Sequence, residues 1–353
     1  MTPALGPFRL LRNPATYVSS KTDLRRDDED RLYWVAFFKR HIHTLLKLAR
    51  EAGLARDQDP DDLDRRAKAA LIEYDGVLDR FMDEPTAQEN AISIMALDRW
   101  RDSILRKHGF LDAFIDLKNR ENEKMLPLLP AVCAELDTLR GAAQVRSAVA
   151  CVFAGNIFDM GAEATAKQFL NHSPDFFNTR AGLPARPWLI DDFDALEQSL
   201  LNKTYRKCVF FIDNAGSDFL LGALPMVRWL AQRGTHMVIA ANERPSLNDM
   251  TVHDVRQWWP RIVATEPSLT SLHIDLVSTG TGEPMIDLAE VSPELNEAAQ
   301  GADLVILEGM GRGVETNLDA EFSCDALNIA MLKDARVAQH LGGKVFDLVC
   351  RFR

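Results

Sequence analysis

The chain has 353 residues, 46% of them apolar, and a formal net charge of −11. That length and apolar content can bury one large core or two smaller ones, and the acidic balance argues against nucleic acid or an anionic membrane as a partner. The opening Met1-Thr-Pro-Ala-Leu-Gly-Pro7 lacks the basic and apolar blocks of a secretory signal, and no apolar run approaches the ~20 residues that span a bilayer. A cytoplasmic location is therefore expected. The five cysteines, at 133, 151, 208, 324 and 350, are odd in number and have neither zinc-ligand nor C-x5-R spacing, so they read as buried free thiols.

Up to about residue 140 the pattern predicts helices joined by polar turns, at roughly 29 to 52, 60 to 83, 87 to 108 and 110 to 139, the last with or without a break. Trp34-Val-Ala-Phe-Phe-Lys-Arg-His-Ile-His-Thr-Leu-Leu46 repeats apolar residues at intervals of three and four, as an amphipathic helix does. Asp59 is placed to cap the second helix, with Pro60 at its first position. From about residue 145 short apolar runs alternate with helical stretches. This is the pattern of an α/β, Rossmann-like, mostly parallel sheet with flanking helices. The predicted strands are 208 to 213, 236 to 242, 272 to 278, 303 to 308 and 344 to 352, and the helices between them are 218 to 233, 248 to 263 and 319 to 341. The expected division is a helical N-terminal domain, 1 to 140, followed by an α/β domain, 141 to 353.

The residues with chemistry collect at strand ends. Cys208-Val-Phe-Phe-Ile212 runs into Asp213-Asn214, and an acid ending a buried strand costs desolvation energy unless a cation or hydrogen bonds compensate it. Carboxyl ends of parallel strands are also where open α/β sheets hold ligands. Asp249, beyond the next strand, adds another oxygen donor from a separate element, which is what a divalent cation takes. Ala215 stands where an aspartyl phosphatase of the haloacid-dehalogenase type requires its second Asp. The loop Glu308-Gly309-Met310-Gly311-Arg312-Gly313 joins a strand to a helix, and its glycines can turn backbone N–H groups toward an anion. A tight turn explains them equally well. Lys333 falls four residues after Ile329 and four before Val337, on the apolar stripe of the predicted 319 to 341 helix. Such a lysine either snorkels or neutralises a buried anion. Asn156 and Asp159 precede a helix expected near Gly161 and read as caps or as ligand-facing groups.

At these residues the chain resembles the DUF89 damage-control phosphatase family, in the branch found as the C-terminal domain of pantothenate kinase 4 and as stand-alone proteins. The similar segments are Ala154-Gly-Asn-Ile-Phe-Asp-Met-Gly-Ala162, Asp213-Asn-Ala-Gly216, Leu247-Asn-Asp-Met-Thr251, Glu308-Gly-Met-Gly-Arg312 with Thr316-Asn317, and Lys333-Asp-Ala-Arg-Val-Ala-Gln-His-Leu-Gly-Gly343. Arg120-Glu-Asn-Glu-Lys-Met-Leu-Pro-Leu-Leu-Pro130 extends the likeness into the helical half. The resemblance implies a divalent-metal-dependent phosphomonoesterase, with Asp213, Asn214 and Asp249 on the metal. It also implies a small phosphorylated metabolite as substrate, 4′-phosphopantetheine or its oxidised forms in this branch and sugar phosphates in others. Met160, Glu315 and Leu318 depart from the Trp, His and Tyr expected there, and they bear on substrate choice.

The reading that follows is a phosphatase using manganese, cobalt, nickel or magnesium. Asp213, Asn156, Asp159 and Lys333 are the expected catalytic groups, and Glu308, Gly309, Met310, Gly311, Arg312, Asn317 and Lys333 are expected on the phosphate. No nucleic acid or membrane partner is expected, and a homo-oligomer is compatible with the sequence. The rival readings are a nucleotide- or S-adenosylmethionine-using transferase and a non-catalytic metabolite-binding subunit.

Overall fold

A computed structural model describes residues 4–87, 89–157 and 175–353. The chain divides into two compact units, one made of residues 1–19, 118–244 and 248–353 and the other of 20–117 with 245–247. The division therefore does not fall at residue 140. Helical residues from 118 onward cluster with the sheet, and so does the amino-terminal segment, where Phe8 is fully buried with its ring 5.6 Å from that of Phe211.

The smaller unit is helical. Its helices Asp28–Leu54, Pro60–Asp83 and Ile94–Lys107 lie close to the predicted positions. Asp59 accepts a hydrogen bond from the Asp61 N–H and Pro60 opens the second helix, as their types require. Buried Arg101 is compensated by Asp98 at 2.6 Å and Asp102 at 2.7 Å, and it donates to Ser246 Oγ at 3.1 Å.

The larger unit is built on a seven-stranded sheet of order β1-β7-β6-β5-β2-β3-β4. The strands are β1 Ile190–Asp191, β2 Lys207–Phe211, β3 His236–Ala241, β4 Ile274–Ser278, β5 Leu304–Glu308, β6 Asp325–Met331 and β7 Leu348–Phe352. All neighbouring pairs are parallel except β6 with β7. Alternate residues feed two cores. Phe210, Ile239, Ile306 and Ile329 enter one, while Val209, Phe211, Val238, Val305 and Leu307 enter the other. Burial on both faces is why these strands read as continuous apolar runs.

Two elements differ from the prediction. The segment expected as one helix, 319 to 341, is instead strand β6, a turn, and a short helix Ala335–His340. Short apolar runs do not distinguish a buried strand from a helix segment, and pairing with β5 and β7 overrides the helix-forming Ala, Leu and Met of this stretch. Ile329, Lys333 and Val337 thus share no helical stripe. The β1 strand was missed because its two residues carry no periodicity. The predicted 110 to 139 stretch, for which the sequence left a break open, is two helices, Ile115–Met125 and Leu129–Thr138, joined at Leu126–Leu128. The cysteines are free, and all but Cys324 are buried.

The end of the Ala142–Gly155 helix packs backbone to backbone on the π-helical turn Asp218–Ala223. A Cβ at Gly155 would come within 2.9 Å of the Ser217 carbonyl and the Asp218 Cα, and within 3.0 Å of the Gly222 Cα. No flexible side chain is there to yield. Gly155→Ala is therefore expected to destabilise the protein by about 1–3 kcal/mol, read as a lower urea midpoint with an unchanged m-value. An unchanged midpoint would show that the two elements separate freely.

Candidate active site

The carboxyl ends of β2, β3, β5 and β6 lie on one rim, because these strands are mutually parallel. β2 is followed in sequence by its neighbour β3 on one side, and β5 by its neighbour β6 on the other, so the connections diverge between β2 and β5. Open α/β sheets bind ligands at such a point. Asp213 leaves β2 here, Glu308 ends β5, Asn242 follows β3 and Lys333 follows β6, all of them buried.

Asn214 and Asp249 form a bridge between the loop after β2 and the loop after β3, sealed by Ala215 N–H donating to the Asn248 carbonyl and Met250 N–H donating to the Asp213 carbonyl, each at 2.9 Å. The far side of the Asp249 loop is fixed by the helix Val252–Thr265, where Thr251 and Asp254 make a capping box and Asp254 also receives Lys118 Nζ at 2.7 Å. The loop after β2 is held by Asn122, whose Oδ1 accepts from the Gly216 N–H at 2.7 Å. Both arms of the site are thus braced by hydrogen bonds before any ligand arrives.

Arg312 joins the two arms. Its guanidinium donates to Asp213 and, at 2.6 Å, to Asp249 Oδ2. Asn156, which ends the Ala142–Gly155 helix, donates to Asp213 Oδ2 and to Asp218 Oδ2, each at 3.3 Å, and accepts from the Met331 N–H at 3.1 Å. Asn214 Nδ2 donates to the same two carboxyls at 3.0 and 2.9 Å. Gly309, at φ 95°, lets the β5 loop lie against Asp213; a Cβ there would overlap the carboxylate.

Burial pushes the Asp213 carboxyl well above its usual range, with Arg312 pulling against that shift and Asp249 and Asp218 adding to it. Burial raises Asp218 and Glu308 as well; Lys333 opposes the shift at both, and the two acids sit close enough to influence each other directly. Burial lowers the Arg312 guanidinium, but Asp249 and Asp213 more than offset it. Among the described residues, neither Glu308 oxygen nor Asp218 Oδ1 is met by a nitrogen or hydroxyl donor, and the two carboxyls lie against each other. The acids Asp213, Asp218, Asp249 and Glu308 are grouped with the cations Arg312 and Lys333. Fully ionised, that group carries two excess negative charges, which a divalent cation matches. The oxygens of Asp213, Asn214 and Asp249 are the hard donors such a cation takes. The residues present therefore fit the expected metal.

The structure brings Asp213, Asn214, Asp249, Asn156, Glu308, Arg312 and Lys333 to one rim. Asp159 lies outside the described residues. The loop residues expected on phosphate also make contacts within the protein. Arg312, expected on phosphate, pairs with two carboxylates. Gly309 and Gly313 give their N–H groups to the Ile329 and Gly309 carbonyls, so these two do not face an anion. Met310 Sδ receives the Lys333 N–H at 3.3 Å. Gly311 packs tightly on the Pro284 carbonyl. Asn317 donates to the Ile286 and Arg312 carbonyls and accepts from Tyr17 Oη, which makes it a brace of the loop. Glu308, also expected on the phosphate, lies against Asp218. Asp218 and Asn242 were missed. Asn242 donates to Asp249 Oδ2 at 3.1 Å, and its signal was its place at the end of β3. Asp218 was signalled by an acid at the head of an otherwise apolar run, Phe219-Leu-Leu-Gly-Ala223.

A model of the damage-control phosphatase ARMT1-like domain matches residues 34–349. The chain belongs to this family. A damage-control phosphatase of Arabidopsis thaliana is 35% identical over 94% of this chain and 90% of its own length. Pantothenate kinase 2 of the same plant is 34% identical over all of this chain, which spans only 42% of that protein. A 4′-phosphopantetheine phosphatase of Mus musculus is 29% identical over 97% of this chain and 48% of its own length. The chain therefore spans less than half of two of these relatives and most of the third. A DUF89 family protein of Pyrococcus horikoshii has the same fold, with a TM-score of 0.64 and 21% identity over 90% of this chain and 96% of its own.

If the Arg312 bridge holds the apo site together, Arg312→Met should cost about 3–5 kcal/mol, because it leaves two buried carboxylates without their counter-ion. The measurement is urea unfolding of wild type and variant in chelator. A loss under about 1 kcal/mol would mean that the acids are already neutralised by protons.

Proposed function

We propose that the chain is a divalent-cation-dependent phosphomonoesterase acting on a small phosphorylated metabolite, with 4′-phosphopantetheine or an oxidised derivative as its substrate. The observation that carries this reading is the convergence of Asp213, Asn214 and Asp249 on one buried rim beside Lys333, in a group of charges short of two positive units. The substrate rests on the nearly full-length likeness to the mouse phosphatase.

Asp213, Asn214 and Asp249 would hold the cation. When bound, it supplies charge neutralisation at the phosphoryl group and a water nucleophile near neutral pH. The oxygen set accepts magnesium or manganese, and cobalt or nickel as well. The chain's own contribution is positioning. Asn156 fixes the Asp213 carboxyl with its amide N–H, and Asn242 does the same for Asp249. Lys333 brings an ammonium to the rim from the end of β6, where it can meet the departing phosphate. Water is limited by the burial of every one of these side chains. The transferase reading loses ground, since Gly309 and Gly313 use their N–H groups internally. No helix among the described residues is long and apolar enough to cross a membrane, and the free thiols suit the cytoplasm.

The test is a screen over phosphometabolites, repeated with several divalent ions and with chelator. Hydrolysis of 4′-phosphopantetheine that chelator abolishes is the expected result; tight binding without turnover under any ion would favour a metabolite-binding subunit. Asp213→Asn should lower kcat by more than tenfold, about 1.4 kcal/mol of transition-state stabilisation. Manganese should raise the Tm of wild type but not that of an Asp213→Asn, Asp249→Asn double variant. An equal shift in both would place the cation elsewhere.

Lys333→Met is the second diagnostic change. It removes one of the two cations beside the acidic group, so stability in chelator should fall as well as activity. The decisive quantity is kcat/KM in the manganese-loaded protein, expected to drop at least tenfold with manganese affinity little altered. A near-normal value would take Lys333 out of phosphate binding.

A further inference from the structure

We propose that His236, His273 and Asp275 form a second cation site, for zinc or a similarly nitrogen-preferring divalent ion, at the amino-terminal edge of the sheet. Their ligand atoms all lie within 4.8 Å of one another. His236 opens β3, and Asp275 is the second residue of β4. The phosphatase rim is at the other end of these strands. Six residues separate His236 from Asn242, roughly 20 Å of extended chain.

The sheet itself sets this arrangement. β3 and β4 pair in parallel with Met237 opposite Ile274, so His236 and His273 are side by side one step earlier, fixed by Met237 N–H donating to the His273 carbonyl at 2.9 Å. Asp275 is two residues after His273 and shares its face of the strand. The imidazoles lie nearly parallel, 8° apart with centroids 3.5 Å from each other, and His236 Nε2 is 2.8 Å from Asp275 Oδ2. A histidine and an aspartate alone would be an ordinary surface pair. The second histidine, held in register by backbone hydrogen bonds, makes a three-donor set from two adjoining strands. The neighbouring cation does not oppose it: Lys207, opposite His236 on β2, gives its ammonium to the Ala298 and Gln300 carbonyls at 2.9 Å each.

Two imidazoles and one carboxylate favour zinc, nickel or copper over magnesium and manganese. The Asp275 side chain is 48% exposed, which leaves an outer coordination position to water. β4 is the edge strand of the sheet. An ion here would tie it to β3, so the site's expected effect is to stabilise that edge.

The experiment counts zinc retained per chain and follows Tm in the Asp213→Asn, Asp249→Asn background, where the rim no longer competes. One equivalent and a zinc-dependent rise in Tm are expected, both lost on adding His273→Ala. Cobalt(II) bound to the same protein should show visible d–d bands that disappear with the same change. Should the triple variant fail to fold, His273→Gln in the otherwise wild-type chain should retain one zinc fewer than wild type and keep manganese-supported turnover within about twofold. Zinc retention indifferent to His273, or no zinc bound in the double variant, would overturn the proposal. Because it reads zinc and not hydrolysis, its failure leaves the phosphatase assignment untouched, and the reverse also holds.

Discussion

The rim depends on one ion triad: Arg312 between Asp213 and Asp249. Two carboxylates from different loops are brought together out of water, an arrangement that costs several kcal/mol per ion unless opposite charge is placed against them. A guanidinium suits this because it is planar and offers separate N–H groups to each acid. It reaches them because Gly309 removes the side chain that would otherwise overlap Asp213, and because Asn328 and Asn317 hold the turn that carries it. Asn328 Nδ2 donates to the Gly313 and Asn317 carbonyls at 2.8 and 3.0 Å. The amides of the loop are therefore structural partners of the charge they position.

Around that triad the sheet does the placing. Parallel strands deliver their ends to one side, and each of the central four contributes a polar residue where its apolar run stops. The same parallelism sends the beginnings of β3 and β4 to the opposite edge, where His236, His273 and Asp275 gather. Hard oxygen donors at one end and imidazoles at the other follow from nothing more than which residues occupy the first and last positions of the strands. The two sets differ in the cation each prefers.

Much of this was legible because strand ends are legible. Cys208 to Ile212 has the length and the β-branched and aromatic character of a buried strand, and an Asp directly after such a strand needs compensation. The approach of Asp213 to Asp249 was inferable from their shared topology, although Arg312 as the partner was not. An arginine in a glycine loop looks like a phosphate ligand until the fold shows which carboxylates surround it. The β6 strand was hidden for a different reason. Leu327-Asn-Ile-Ala-Met331 has helix-forming residues, and its strand character comes from β5 and β7 on either side. Asp218 was hidden because sequence distance from Asp213 says nothing about the π-helical turn that brings the two carboxyls onto the same asparagine amides.

Lys333 shows how a correct residue can rest on a mistaken element. Its supposed helical stripe does not exist, yet it is 1% exposed and lies among the acids of the rim. The reason it was found at all is that both readings ask for the same thing, a lysine kept from solvent among apolar neighbours. The strand reading, however, changes what the lysine does in the absence of ligand. On a helix stripe it would be an isolated buried cation, costly to keep. After β6 it offsets Asp213, Asp218 and Glu308, so its charge is already in use before a phosphate arrives. Under the proposed function, a phosphoryl group entering this rim would share Lys333 with three acids, and a bound cation would offset that competition.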